Sequence, residues 1–436
     1  MEQIGGELAA KRPNLSFSGA DAGEDRLSAL PDDILVLILL RLDTISEAAR
    51  TCVLSLPWRR IWTLLPEITF CIDPDYHHIR EVLSVSEAPV LHSIFVVTKC
   101  DTPDFVAAWL PLAARRLSGY LVYENLVEGH EEEVDRAIPL PCFGNATEID
   151  LELGFLALSL PSSGVFTGLT ELCLKSVRFL GPCDLDDVVS SPRCPGLRRL
   201  RVRKTRGLHV LAIQSKSLLK IDLGYLNGLQ KLSIDASALK KLTLLFSFRH
   251  HQPVADISAP QLVFFRWRGA YDPSSVQLGN LGQLQRLSTY FIRVYGQQVS
   301  IYNRAILQLL HRFQVIHNLN IMLGYPQDIG ELQYLMEDIT RLPRVTFLEL
   351  AHECPSGCPC DEQTNWKIDV LLLNRLEEVE VTNLKGAEYE VTFVKQLFSW
   401  ATVLRKMRIT FANLVSESMA SELRERLLTF SRPEDA

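Results

Sequence analysis

The sequence predicts an α/β protein in which a small head of three helices precedes a curved solenoid of short repeats. Three observations lead to this prediction. Residues 25–70 carry helix-start signals around an apolar run, an apolar-x-x-apolar-x-apolar pattern recurs from residue 169 onward, and 436 residues suffice for two or three domains. The sequence is 47% apolar and 22% charged, which is ordinary for a globular protein and excludes global disorder.

The first residues and the cysteines indicate where the protein resides. Residues 1–22 are rich in small and charged residues and are predicted to form a flexible arm, without the apolar core of a secretory signal. The longest apolar run, Ile34–Leu40, is far shorter than the roughly 20 residues of a membrane span. Ten irregularly spaced cysteines fit a reducing compartment. We therefore expect a soluble protein of the nucleus, the cytoplasm or both, with no membrane partner.

Three helices are predicted in the head. Pro31 is expected at the first helical position, and Asp32 and Asp33 after it suit the positive end of a helix. Thr44 and Glu47 have the spacing of a capping box, which starts a second helix. A short third helix is predicted from about residue 57 to residue 65. If Ser55 caps it, Pro57 falls in its first turn, where the missing N–H costs little.

The first helix is apolar on all sides. Since successive helical residues are about 100° apart, Ile34–Leu40 covers the whole circumference. A unit of about 45 residues can shield only one side of such a helix. The remaining apolar surface must contact either the repeats of this chain or a partner, and the pattern alone leaves both alternatives open.

The repeat is typical of leucine-rich proteins. Its central apolar residues Leu200, Ile221, Leu242, Phe265 and Leu287 are 21 to 23 residues apart, and intermediate positions such as 211 and 232 halve this period. Each coil is therefore predicted to carry two strand-like passes, one on each wall. Stacked coils bury the apolar row that no single coil can bury. Earlier strands are predicted at 93–98 and 149–153, and helical inserts at 329–342 and 389–404.

Residues 25–66 closely resemble the plant F-box. The resemblance rests on DRLSALPDDIL at 25–35, I-L-x-R-L-D-T at 38–44, A-x-R-T-C-V-L-S at 48–55 and W-R-R-I-W at 58–62. It implies a helical docking unit that binds the Skp-type adaptor of cullin–RING ubiquitin ligases. The adaptor contacts that it implies are Leu30, Pro31, Ile34, Ile38, Leu42, Val53, Leu54, Trp58 and Trp62. Leu56 and Pro57 stand where the family usually has two basic residues, which implies weaker adaptor binding.

The end of the chain resembles the FBD module that closes many plant F-box and leucine-rich-repeat proteins. The resemblance rests on LEEVEV at 376–381 and on the pattern of residues 393–409. It implies a final coil that caps the solenoid. The predicted division is an arm at 1–22, an F-box at 23–70, a leucine-rich-repeat solenoid at 71–310, and C-terminal repeats with an FBD-like module at 311–436.

Basic residues are concentrated in one part of the solenoid. Residues 197–268 contain 14 Lys or Arg and 3 Asp or Glu. Those at the solvent-facing positions of successive coils should stack into a ladder; they are Arg198, Arg199, Arg201, Lys220, Lys240, Lys241 and Arg266. The ladder is either a solvated face or a site for an acidic or phosphorylated target or a small anion. Nucleic acid is disfavoured as a ligand, because binding to bases needs aromatic residues interleaved with the cations and the pattern offers only Trp267.

The sequence contains one weak candidate for a metal site and none of the catalytic motifs that we sought. His352, Cys354, Cys358 and Cys360 form a weak candidate for zinc, but the cluster lacks paired C-x-x-C halves, and an apolar or disulfide-competent loop is the favoured interpretation. Phosphate-loop, nucleophile-elbow and zinc-protease motifs are absent from the sequence, so no enzyme and no cofactor is predicted.

These patterns predict a non-catalytic, substrate-recognition subunit of an SCF-type (Skp–cullin–F-box) E3 ubiquitin ligase. The head would dock the adaptor, and the solenoid would hold a target protein. The alternative is a stand-alone leucine-rich-repeat binding or sensor protein whose head packs internally and which has no ligase role.

Overall fold

The computed structural model of the chain describes residues 27–71, 74–99, 102–127, 136–180, 185–248, 253–293, 295–296, 301–313, 316–324, 333–334, 345–353, 375–386, 388–413 and 415–430. The arm predicted at 1–22 lies outside these ranges. No helix within them is long and apolar enough to cross a membrane.

The head begins with the predicted helices. Helix α1 spans Asp32–Leu39 directly after Pro31, and α2 spans Ile45–Arg50. The Thr44 hydroxyl accepts a hydrogen bond from the Glu47 N–H at 3.2 Å, and the Asp43 N–H donates to the Glu47 carboxylate at 3.1 Å. The first bond confirms the predicted cap, because it satisfies a backbone donor that the helix leaves free. The second bond differs from a capping box, since the Glu47 carboxylate accepts from Asp43, the residue before the N-cap, and not from Thr44.

The third helix is shorter than predicted. Helix α3 is a single turn, Trp58–Ile61, between two short 3₁₀ helices, Thr51–Val53 and Trp62–Leu64. Ser55 does not cap α3, since the N-cap position is held by Pro57 and the Ser55 hydroxyl instead bonds that of Ser28 at 2.6 Å.

Beyond the head lies a long parallel sheet, which confirms the predicted solenoid. Its strands follow one another as β1 (Glu67–Phe70), β2 (Leu91–Thr98), β3 (Leu117–Asn125), β5 (Glu148–Glu152), β7 (Glu171–Lys175), β9 (Arg199–Arg206), β11 (Lys220–Asn227), β13 (Lys241–Leu245), β15 (Phe264–Arg268), β17 (Arg286–Arg293), β19 (Asn318–Gly324), β21 (Phe347–Glu353), β22 (Glu378–Leu384) and β23 (Lys406–Phe411).

One apolar row runs through every strand of this sheet. The row begins at Ile68, contains the predicted central residues of the repeats, and ends at Met407. Its members before Met407 are at most 4% exposed. The row is the core of the solenoid, because each strand covers the apolar side chain of the strand before it.

A second wall completes the coils, as the half-period predicts. Strands β10 (Val210–Ser215), β12 (Lys231–Ala236), β14 (Val254–Ser258) and β16 (Val276–Leu278) form a parallel sheet in which residues 211 and 232 are in register. Short strands β4 (Ile138–Pro139), β6 (Ala157–Ser159) and β8 (Arg178–Phe179) pair in sequence before it. The central coils thus have two strand passes each.

Helices replace the second pass at both ends of the solenoid. Near the head these are α4 (Tyr76–Val85) and α5 (Pro103–Arg116), which the sequence analysis missed, and α6 (Leu185–Val188) follows. Later come α7 (Ile301–Arg312), α8 (Glu388–Trp400) and α9 (Glu417–Leu428), of which α8 confirms the helix predicted at 389–404. Of the helix predicted at 329–342, only 333–334 are described, and they form β20 (Gln333–Tyr334), antiparallel to β18 (Tyr295–Gly296).

The head is joined directly to the first coil. Strand β1 follows the head directly and pairs with β2, and the Pro66 carbonyl accepts the His92 N–H at 2.7 Å. The Thr63 carbonyl accepts the Glu87 N–H at 2.7 Å. Head and solenoid share one hydrophobic core.

Candidate functional site

The head has an exposed apolar face. In α1, Leu35 and Leu39 are buried, whereas Ile34, Leu37 and Ile38 are 38%, 58% and 38% exposed. The spacing of i, i+3 and i+4 places these three on one side of the helix. The loop after α2 adds large apolar residues that are more exposed still. We call this set the docking face: Ile34, Leu37, Ile38, Leu42, Val53, Leu54 and Leu56.

Four of the predicted adaptor contacts lie outside this set. Pro31 is exposed, and Leu30 and Trp62 are half-buried against the core. Trp58 differs from the expectation, because its side chain is only 4% exposed and its indole N–H donates to the Ser28 hydroxyl at 3.0 Å. Trp58 therefore holds the head together from inside and offers no free surface to a partner.

Two members of the docking face were missed in the sequence. Leu37 is one turn beyond Ile34, so helical spacing could have identified it. Leu56 was read as the loss of a basic residue, and the structure shows an exposed apolar side chain in its place.

The basic ladder lies on the outer face of the long sheet. Arg199, Lys220 and Lys241 are direct neighbours on β9, β11 and β13, and Arg201 and Arg266 lie in the adjacent row with Asp222 and Thr243 between them. Arg198 and Lys240 come one residue before β9 and β13 and are exposed at the start of these strands.

The β9 half of the ladder is largely paired with carboxylates. Arg199 forms an ion pair with Glu171. Asp222 accepts hydrogen bonds from Arg203 at 3.0 and 2.5 Å and lies 3.8 Å from Arg201. The bonds with Asp222 raise the pKa of Arg203 above its ordinary value. This half is a structural ion-pair network.

The other half surrounds an aromatic ring. The Lys241 ammonium lies 4.7 Å from the centre of the Phe264 ring, and the guanidinium carbons of Arg266 and Arg286 lie 5.4 and 5.7 Å from it. These are distances of cation–π contacts. We call four cations the cationic surface: Lys241, Arg266 and Arg286 around this ring, and Lys220 on the neighbouring strand.

Positive charge on the cationic surface is only partly compensated, since Asp222 and Glu349 act on Lys241 or Arg266 from a distance without forming an ion pair. Among the described residues, no carboxylate lies in ion-pair range of Lys220, Lys241, Arg266 or Arg286. Partial burial and the nearby Arg266 and Lys220 hold the pKa of Lys241 below its ordinary value. Partial burial and Arg268 do the same to the pKa of Arg266. Burial is the larger cause of both shifts and repulsion between the cations adds to it, so an anion bound here would relieve the repulsive part.

The aromatic residue of this site is not the predicted one. Trp267 is buried, with its indole N–H bonded to the Ala270 carbonyl at 3.0 Å, and Phe264 takes the surface position instead. Phe264 and Arg286 were missed, although they occupy the template position of Lys241 one strand and two strands later, respectively.

The weak zinc candidate falls largely outside the described residues. Cys354, Cys358 and Cys360 are not among them, and of His352 only the backbone, in β21, is described. In the ranges that the structure covers, no group of three or more potential ligands could hold a metal ion.

A head of short helices joined to a leucine-rich solenoid, with a strand–helix–strand coil at its end, is the architecture that the resemblance to F-box proteins with leucine-rich repeats implies. No family model matches the chain. A putative F-box/FBD/LRR-repeat protein of Arabidopsis thaliana is 30% identical over 213 residues, which cover 47% of each chain. An F-box/FBD/LRR-repeat protein of the same plant is 29% identical over 52% of this chain and 55% of its own length.

These two alignments span about half of the relatives' length, and others are longer. A putative FBD-associated F-box protein of Arabidopsis thaliana is 24% identical over 452 residues, or 94% of this chain and 97% of the relative. Across most of its length the chain is thus homologous, at modest identity, to plant F-box/FBD/LRR-repeat proteins. The resemblance found in the sequence is confirmed.

Proposed function

We propose that this chain is the substrate-recognition subunit of an SCF-type E3 ubiquitin ligase. The observation that carries the proposal is the docking face, a set of large apolar side chains exposed on a head whose other side packs into the core. Exposed apolar clusters of this kind are protein-binding sites. A Skp-type adaptor is the partner that the homology supports, and through it a cullin–RING ligase.

The mechanism is positioning, without bond chemistry in this chain. Because β1 joins the head to the sheet and both share one core, a target on the solenoid would be held at a fixed position relative to the adaptor. A fixed position raises the effective concentration of the target at the ubiquitin-transferring subunit.

The cationic surface is the target-binding site that we propose. Its cations form no ion pair with any described carboxylate and therefore suit an acidic or phosphorylated segment, bound by charge-assisted hydrogen bonds. A small anion bound here would use the same cations, whereas nucleic acid is disfavoured.

We further propose that the protein resides in the nucleus, the cytoplasm or both. We also propose the division of the chain into an F-box at 23–70, a solenoid at 71–310 and a C-terminal FBD-like part at 311–436.

Titration of the purified chain with a recombinant Skp-type adaptor tests the docking face. Val53→Glu with Leu54→Glu places two charges in the apolar contact, and we expect an affinity at least roughly a hundredfold lower. Val210→Glu is the matched control, because Val210 is also an exposed valine but lies on the second wall. It should bind as the unmodified chain does.

Trp58→Phe separates folding from docking. It removes the indole donor from the Ser28 hydroxyl, so we expect a lower thermal midpoint and a smaller loss of adaptor affinity than for the Val53 and Leu54 change. If the unmodified chain does not bind the adaptor, the ligase proposal fails and the stand-alone binding protein takes its place.

A further inference from the structure

The apolar core of the solenoid is open at its C-terminal end. On β22, Val379, Val381 and Leu384 are buried, at 1% exposure or less. Their neighbours on β23 are Met407, Ile409 and Phe411, and each of these is half-buried. The difference arises because no described strand follows β23 to cover its apolar side chains. The FBD-like end therefore extends the core and leaves its last layer partly exposed.

A groove lies along β23 at this end. Its volume is about 520 Å³, and its walls come from β23 and from helices α8 and α9. The apolar lining is Phe398, Leu404, Met407, Ile409, Phe411, Leu427 and Leu428. Leu428 at the end of α9 is 54% exposed, so the groove is open to solvent.

The outer edge of β23 has no strand beside it in the part of the chain that the structure describes. The Lys406 N–H donates to the Glu377 carbonyl at 3.1 Å and the Ala412 N–H to the Leu384 carbonyl at 2.9 Å, so even-numbered residues bond inward to β22. Since backbone groups alternate in direction along a parallel strand, those of Met407, Ile409 and Phe411 point outward. An edge of this kind is a template for another strand.

The charges on the solvent face of β22 and β23 indicate which side chains an added strand would need. Glu378 and Glu380 on β22 lie opposite Lys406 and Arg408 on β23, with ion-pair distances of 3.8 and 3.7 Å. A further strand next to β23 would meet the same two cations, and acidic residues there would continue the alternation. Edge-to-edge pairing of two copies of β23 would bring like charges together, which disfavours a second copy of this chain.

We propose that β23 binds an extended segment of a partner protein in which apolar and acidic residues alternate. The segment adds as a strand to the outer edge. Its apolar residues cover Met407, Ile409 and Phe411, and its carboxylates contact Lys406 and Arg408. Backbone bonds supply affinity in this mode and the alternate side chains supply specificity. The FBD-like end thereby becomes a second interaction surface, separate from the docking face and the cationic surface.

A peptide copied from β22 tests the inference. The probe is a fluorescent peptide with the sequence of residues 376–384, LEEVEVTNL, and the comparison peptide carries lysine at its three glutamates. With the full chain, fluorescence anisotropy should show saturable binding of the acidic peptide and at least roughly tenfold weaker binding of the basic one. Hydrogen exchange of 406–411 should slow when the acidic peptide is bound. Equal affinities, or no saturation at millimolar peptide, would overturn the proposal.

Two variants locate the bound peptide. Lys406→Gln with Arg408→Gln removes the charges of β23 and should weaken binding roughly tenfold. Lys220→Gln with Lys241→Gln is the matched control, because it removes two charges from the cationic surface. Binding that is lost in the control and kept in the β23 variant would place the peptide on the cationic surface and overturn the inference. Adaptor binding should be unchanged in both, so the ligase proposal is tested separately.

Discussion

At the scale of the residue, burial makes two cysteine thiols chemically inert. Cys173 and Cys194 lie in the solenoid, where burial raises the pKa of each to about 12, with the Asp150 carboxylate adding to the effect at Cys173. The thiolate is the nucleophilic form of cysteine, so a raised pKa suppresses reactivity. Cys71, which follows β1, is exposed.

Alkylation with iodoacetamide at about pH 8 should therefore distinguish these sites. At that pH a thiol with a pKa of about 12 is ionised to roughly one part in ten thousand. We expect Cys71 to be modified in the folded chain, and Cys173 and Cys194 only after unfolding in guanidinium. Peptide mass spectrometry measures each site. Labelling of Cys194 in the folded chain at the rate of Cys71 would contradict the structure.

In the head, the sequence predicted a local hydrogen bond correctly but did not predict which side chains are buried. The cap that Thr44 provides for the Glu47 N–H was predicted because its bond is local. Trp58 was expected at a partner surface but is buried, and Ser55, which was considered as a helix cap, bonds Ser28, 27 residues away. Both outcomes depend on a contact with residue 28, which helical spacing does not encode.

At the scale of the element, the stability of a coil depends on its neighbours. Leu242 has a strand on either side and is fully buried, whereas Met407 holds the equivalent position on the last described strand and is half-buried. The two positions belong to the same row, so they compare a covered layer with an open one.

Alanine at these two positions should have unequal effects. Leu242→Ala should lower the free energy of unfolding by about 3 kcal/mol, because it removes buried surface and leaves a cavity. Met407→Ala should cost about 1 kcal/mol, because less surface is lost and solvent fills the space. Urea denaturation monitored by circular dichroism measures both. Equal losses would show that the end of the solenoid is as well covered as its centre.

The strands were more predictable than the helices between them. Repeated apolar triplets define the strands, and the register of residues 200, 221, 242, 265 and 287 follows from their period. Helices α4 and α5 lie outside the repeat template, so they were missed. Turns show the same limit: Lys204, Tyr225 and Phe246 adopt positive φ angles of 52°, 55° and 46° at equivalent positions where only a later coil has glycine, Gly269.

At the scale of the whole molecule, the head and the solenoid are one structural unit. Ile68 on β1 is 1% exposed and is the first residue of the apolar row, and its strand follows the last turn of the head by three residues. The sequence-based division placed residues 67–70 with the head, whereas the structure includes them in the sheet.

Ile68→Ala should consequently loosen both parts together. We expect a loss of about 3 kcal/mol in unfolding free energy and faster hydrogen exchange in 58–65 and in 76–98 at once. Thr69→Ala is the control, because Thr69 lies on the same strand and is half-buried on its other face. Faster exchange on only one side of β1 would show that head and sheet unfold independently.

The sequence by itself determined the class of fold, the repeat period, the apolar head and the position of the basic residues, because each is written as local spacing. Only the tertiary structure decided which of those residues are free to act. It paired Arg199, Arg201 and Arg203 with carboxylates on neighbouring strands, left Lys241 and Arg266 beside Phe264, and left the edge of β23 without a described neighbour. The physical reason is that charge pairing and burial are set by residues that meet across strands about 20 or more positions apart, and no single segment contains both partners.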